Sequence, residues 1–146
     1  MENLHYLLMK ANALFLKRIL AEAGQMGLTP GQPKVLDFLL QYEEADQKTI
    51  AAYCEIEPAT VGSILLRMEN AGLIRRRQKE GNRRSLYVSL TDSGREKAER
   101  LMEVFRSVEA QGSAGFSQEE MQTLKEQLTR VCRNMQPASG QKKGQQ

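Results

Sequence analysis

Apolar residues Leu4, Leu7, Leu8, Ala11, Leu14, Phe15, Ile19 and Ala23 recur at steps of three and four, so residues 3–23 are read as a helix with one apolar face, ended by Gly24 and Gly27. Thr29-Pro30-Gly31-Gln32 carries a hydroxyl cap, a proline at the first helical position and a glutamine at the third, a start signal for a second helix over Val35 to Tyr42. Asp46 is placed to cap a short third helix over 47–53, with Ile50 and Tyr53 inward. Glu55-Ile56 leaves almost no loop before a fourth helix that starts at Glu57-Pro58 and stops at Gly72. The period then changes. Leu73-Ile-Arg-Arg-Arg77 and Ser85-Leu-Tyr-Val-Ser-Leu90 alternate as strands do, with Gly81-Asn82 at the tip between them, and read as a β-hairpin. Thr91-Asp92-Ser93 caps a long helix with Ala98, Leu101, Met102, Phe105 and Val108 inward, interrupted at Gly112 to Gly115. Ser117-Gln-Glu-Glu120 is a capping box opening a last helix whose apolar face is Met121, Leu124, Leu128, Val131 and Met135.

This order implies a mainly α (α+β) fold: a winged helix-turn-helix over 28–91 with a short hairpin wing, flanked by dimerisation helices at 1–26 and 92–136. Residues 1–136 are expected to be one domain, and the polar run 137–146 a disordered tail.

On the fourth helix, Ile64, Leu65 and Met68 cluster around Val61, whereas Thr60, Ser63 and Arg67 fall together roughly 100–160° away at 3.6 residues per turn. Alone, that stripe describes any amphipathic surface helix. Its chemistry also suits a major groove: short side chains allow close approach to base edges, Arg67 reaches a guanine or a phosphate, and Pro58 and Ala59 keep the leading end slim. The charge distribution favours the second reading. The chain as a whole carries only +3, but Leu73 to Arg84 holds Arg75, Arg76, Arg77, Lys79, Arg83 and Arg84 against the single acid Glu80. A hairpin presenting Arg77, Lys79, Asn82, Arg83 and Arg84 can lay cations along phosphates or insert one into a narrow minor groove. Gln47, Lys48 and Thr49, at the start of the third helix, are assigned to the DNA backbone.

Composition narrows the alternatives. With 27% charged residues and mean hydropathy −0.52, no stretch approaches the roughly 20 apolar residues of a membrane span, and the start lacks a secretory pattern, so a cytoplasmic protein is expected. Cys54 and Cys132 form no CxxC, which argues against a disulfide framework or a zinc site. His5 is the single histidine and has no nucleophile, metal partner or phosphate loop beside it, so neither an enzyme nor a cofactor or metal protein is indicated.

Leu28-Thr-Pro-Gly-Gln-Pro-Lys-Val-Leu36, Thr49-Ile-Ala-Ala-Tyr53, Ala59-Thr-Val61, Leu65-Leu-Arg-Met-Glu-Asn-Ala-Gly-Leu-Ile74, Asn82-Arg-Arg84 and Leu90-Thr-Asp-Ser-Gly94 together resemble the multiple antibiotic resistance regulator (MarR) family over about 28–98. The resemblance implies a dimer built on the first and last helices, recognition of double-stranded DNA by residues 57–71, and Arg84 in the minor groove. It also implies control by a small aromatic or phenolic effector, for which Phe15, Phe38, Tyr42, Met102 and Phe105 are the candidate lining. The sequence departs from the family pattern twice: Asn82 stands where an acid commonly holds the wing arginine, a role Glu80 is placed to take, and Glu55 stands where the turn usually has glycine, implying a different turn conformation.

The apolar faces of the end helices exceed what a winged domain of about 70 residues can cover, an independent reason to expect a homodimer. Its operator is then a near-palindrome with half-sites about 10 base pairs apart. The expected function is a sequence-specific repressor released by a small ligand. A thiol-based redox sensor on the same scaffold and a winged-helix protein-interaction module are the alternatives; for the first, Glu55 and Glu57 are expected to raise the pKa of Cys54 and disfavour its thiolate.

Overall fold

A computed structural model describes residues 1–79 and 81–137, and the side chains of all of these except residues 82–85. Within it the local signals act largely as written. Helix α1 spans Leu4–Gln25, and Gly27, at φ 80°, turns the chain out of it. Helix α2 (Gln32–Tyr42) starts differently from the sequence expectation. Its N-cap is Gly31 at φ 89°, Pro33 occupies the first turn, and the Gln32 side chain reaches back to accept from the Thr29 N–H at 3.1 Å. Thr29 therefore donates its N–H in the start motif and is not the cap; the left-handed φ of residue 31 is what favours glycine there, and an added Cβ would also lie 2.5 Å from the Ile64 Cδ1 methyl.

A short strand, β1 (Glu44–Asp46), follows, which the hairpin reading did not include. Asp46 then caps α3 (Gln47–Cys54), its Oδ1 accepting from Thr49 N–H at 2.8 Å. Ile50 is buried in the core as expected, but Tyr53 is 48% exposed. Helix α4 (Pro58–Asn70) ends at Gly72, which adopts φ 74°. Strands β2 (Ile74–Lys79) and β3 (Asn82–Leu90) form the wing, and the sheet order is β1-β3-β2, all antiparallel. Ala45 faces Val88 across the first pair and Arg76 faces Val88 across the second.

Helix α5 (Asp92–Gly112) is tied to the end of α4 through Thr91, whose hydroxyl donates to Gly72 O at 2.6 Å and accepts from Gly94 N–H at 3.0 Å. Lys97 Nζ donates to Met26 O, and Arg18 Nη2 to Ser107 Oγ, joining α5 to α1. Leu36, Leu39, Ile50, Val61, Leu65, Met68, Val88 and Leu101 are essentially fully buried at the centre. Such side chains stabilise by about 1.5–3 kcal/mol each. Residues 1–109 make up one compact unit, and a second begins at Ala110. In that second unit, α6 (Gln118–Met135) opens with the expected reciprocal capping box of Ser117 and Glu120, and none of its residues is buried. The tail beyond Pro137 lies outside the described residues.

Candidate nucleic-acid interface

Two helices separated by a three-residue turn, Glu55 to Glu57, set up the site. Glu55 takes the left-handed conformation, φ 53° and ψ 46°, and Ile56 N–H bonds back to Ala51 O at 3.1 Å. The turn thus keeps a conformation that glycine adopts without strain, and the departure anticipated from Glu55 is absorbed as backbone strain of about 1–2 kcal/mol. Gln47 braces the second helix from the first: its Nε2 donates to Pro58 O at 3.1 Å, and it packs so close to Gly62 that a Cβ there would meet Nε2 at 3.0 Å. Assigned from sequence to the DNA backbone, Gln47 has its amide engaged in holding the start of α4; Lys48 and Thr49 beside it are exposed.

Helix α4 is two-faced. Val61, Ile64, Leu65 and Met68 are buried, while Pro58, Ala59, Thr60, Ser63 and Arg67 are all exposed. The stripe read from the sequence therefore forms a continuous outer surface, narrow at its N-terminal end and carrying one guanidinium farther along. Leu66, which polar patterning passes over, shares this surface and is 52% exposed.

In the wing, Arg77 and Lys79 converge on Glu44 of β1. The Arg77 guanidinium donates to Glu44 Oε2 through Nη2 at 2.7 Å and Nε at 3.2 Å, and Lys79 Nζ lies 3.4 Å from Oε1. Lys79 Nζ also sits 4.2 Å from the centroid of the Tyr87 ring. The Arg77 hydrogen bond holds the Glu44 carboxyl below the ordinary carboxylate range; partial desolvation opposes it and Lys79 adds to it. Two of the proposed wing contacts are thus both paired with Glu44 of β1. The backbones of Asn82, Arg83 and Arg84 open β3, but their side chains, and Glu80 altogether, lie outside the described residues. Glu44 carries no local sequence signal, because its partners lie more than thirty residues away.

A cavity of about 380 Å³ lies among α1, α2 and α5, lined by Phe15, Asp37, Gln41, Met102, Phe105 and Arg106 among others. Three of the five candidate effector-lining residues, Phe15, Met102 and Phe105, meet there. The other two are placed elsewhere: Phe38 and Tyr42 stack with Tyr53 in a trio of rings with centroids 4.8–5.5 Å apart. Cys54 is buried, and that burial pushes its thiol up to about 11, with Lys34 opposing and Asp37 adding. The cause is desolvation and not the neighbouring Glu55 and Glu57. Cys132 is exposed on α6. Among the described residues, no group of His, Cys, Asp and Glu could hold a metal ion, and no helix is long and apolar enough to cross a membrane.

The family model described as "MarR family" matches residues 28–86, the span from the start of α2 into the wing. The HTH-type transcriptional repressor MdtR of Bacillus subtilis is 31% identical over 112 residues, covering 75% of this chain and 72% of that protein. The chain belongs to the MarR family of transcriptional regulators. Solved structures share its fold, among them one with a bound ligand and one on DNA. A MarR family regulator from Listeria monocytogenes complexed with 26mer DNA has a TM-score of 0.87 at 19% identity, over 92% of this chain and 89% of that one. NadR in complex with 4-hydroxyphenylacetate has a TM-score of 0.80 at 21% identity, over 91% and 94%. The winged-helix architecture expected of this MarR-family chain is thus the one observed, with β1 added to its wing.

Proposed function

We propose that this MarR-family regulator is a repressor that grips a near-palindromic operator in double-stranded DNA as a homodimer and lets go when a small aromatic acid or phenol binds. The observation that carries the DNA reading is the division of α4. Its bulky apolar residues are buried, and Thr60, Ser63 and Arg67 are turned outward next to a basic hairpin. A slim polar helix fits a groove about 12 Å wide, and cations beside it neutralise phosphates. Among relatives of the same fold, the Listeria regulator was solved on DNA.

Dimer formation is supported by what each end helix leaves uncovered. Helix α1 exposes Leu4 (62%), Leu14 (55%) and Phe15, and α6 exposes Leu124 and Leu128 (both 38%). Burying such faces against a second copy offers a gain that water does not. For the effector, the cavity supplies the Phe15 and Phe105 rings and the soft Met102, an apolar lining suited to a small aromatic ring, with Gln41 and the Asp37 and Glu109 carboxylates at hand for a phenolic hydroxyl. NadR, of the same fold, binds 4-hydroxyphenylacetate. The cavity is built from α1, α2 and α5, so an occupant would act on the spacing between the end helix and the reading head.

The test is to select operators from a random duplex pool and follow affinity against salt by fluorescence anisotropy. A site-specific complex whose log affinity falls with log salt is expected; a flat dependence would contradict phosphate engagement. Thr60→Ala and Ser63→Ala should change sequence preference, whereas Arg84→Ala should weaken all sequences alike. Adding 4-hydroxyphenylacetate or a related phenolic acid should lower affinity, and no effect from any of them would remove the effector reading.

A further inference from the structure

Each large apolar side chain of α4 but one is buried. Val61, Leu65 and Met68 have no exposed surface and Ile64 has 9%, yet Leu66 is 52% exposed. A solitary exposed leucine is unremarkable on most surfaces. Its position is what makes this one informative. At 100° per residue Leu66 lies one turn beyond Ser63 and about 60° to one side, while Arg67 lies one turn beyond and about 40° to the other. Ala59 and Ser63, which precede it on that side of the helix, are short, so Leu66 stands above them. The outer face of the helix thus ends in a fork, apolar on one side and cationic on the other.

A major groove presents donors and acceptors along its whole floor and just one apolar group, the C5-methyl of thymine. A leucine lowered against any other base edge would strip water from polar atoms and leave them unpaired. We propose that Leu66 is a specificity-determining residue that reads a thymine methyl in each half-site. This inference rests on the DNA reading above and adds a base preference to it. Leu66 lies roughly 4.5 Å farther along the helix axis than Ser63. With base pairs stacked about 3.4 Å apart, the thymine falls one or two steps from whatever Ser63 contacts.

Exchanging thymine for uracil removes that methyl and nothing else. The experiment therefore takes the selected operator, replaces each thymine in turn by uracil, and measures the full-length protein and Leu66→Ala by anisotropy at fixed salt. Leu66 is on the surface, so Leu66→Ala leaves the core intact, and circular dichroism checks the fold directly. The wild type should lose about three- to fivefold in affinity at one thymine per half-site, the worth of one buried methyl-sized group. Leu66→Ala should bind thymine and uracil equally at that position while keeping the wild-type response at all others. Specific binding with a flat uracil scan, or a penalty unchanged in Leu66→Ala, overturns the inference and leaves the DNA reading intact. A flat scan accompanied by an altered oligomeric state would assign Leu66 to a protein contact, which also overturns it. The absence of any specific complex overturns the DNA reading itself and this inference with it.

Discussion

Gly94 offers a single-methyl perturbation whose cost follows from geometry. It is buried at the start of α5, and a Cβ built on it would lie 1.8 Å from the carbonyl oxygen of Leu73 and 2.8 Å from the carbonyl carbon. Both are backbone atoms, so no rotamer change relieves the clash; α5 and the segment leaving α4 must separate by an ångström or more. That carbonyl already accepts from Thr91 N–H at 3.0 Å, and Thr91 Oγ1 accepts from Gly94 N–H at 3.0 Å, so separation breaks the hydrogen bonds that seat α5. Overpacking costs about 1–3 kcal/mol, and two lost hydrogen bonds add about 1 kcal/mol each. Gly94→Ala should therefore destabilise by about 3–5 kcal/mol, a fall of roughly 10 °C or more in melting temperature for a chain of this size. Gly24→Ala is the matched control. Gly24 sits within α1 with nothing within 4 Å of its added Cβ, so the same methyl should be neutral or stabilise by about 0.5–1 kcal/mol. Urea denaturation followed by circular dichroism, at one protein concentration so that association is constant, measures both. A Gly94→Ala protein within 1 kcal/mol of wild type would refute the close-approach argument.

Two further predictions concern titrating groups. Asp46→Ala should cost about 1 kcal/mol through loss of the α3 cap. Hydrogen bonds from Thr49, side chain first and backbone second, hold the Asp46 carboxyl below its ordinary value. Its stabilising contribution is therefore full above about pH 4 and fades as pH falls through the lowered value. Asp46→Asn should keep most of the cap but flatten that part of the acid limb in pH-dependent urea melts, and an acid limb identical to wild type would contradict the assignment. For Cys54, a thiol near 11 in place of its ordinary 9.0 leaves about a hundredfold less thiolate at neutral pH than an ordinary cysteine. Its alkylation should track global unfolding. Because the folded value is the raised one, its contribution to stability is complete below pH 9 and is lost between pH 9 and about 11. Rapid modification of Cys54 in the native protein would restore the redox-sensor alternative that its burial disfavours.

The elements that short-range chemistry writes were legible in the chain. Asp46 and Ser117 cap the helices they precede, Gly72 ends α4 in the left-handed conformation, and the 3.6-residue period assigns Val61, Ile64, Leu65 and Met68 inward and Thr60, Ser63 and Arg67 outward. Each of these depends on groups within about four residues of one another, so local sequence suffices.

The remaining features arise from partners distant in the chain. The three residues of β1 have no periodicity to detect and exist as a strand because β3 pairs with them. Glu44 becomes a partner for Arg77 and Lys79, and Gln47 a brace for Pro58. Phe38 and Tyr42 turn to Tyr53 instead of to the cavity, since stacking among α2 and α3 competes for rings that an apolar count cannot orient. Local patterning alone was enough to say which helices form and which side of α4 faces out. Which cations of the wing are already paired, and which rings face the cavity, depended on burial and contact geometry between segments that only the folded chain brings together.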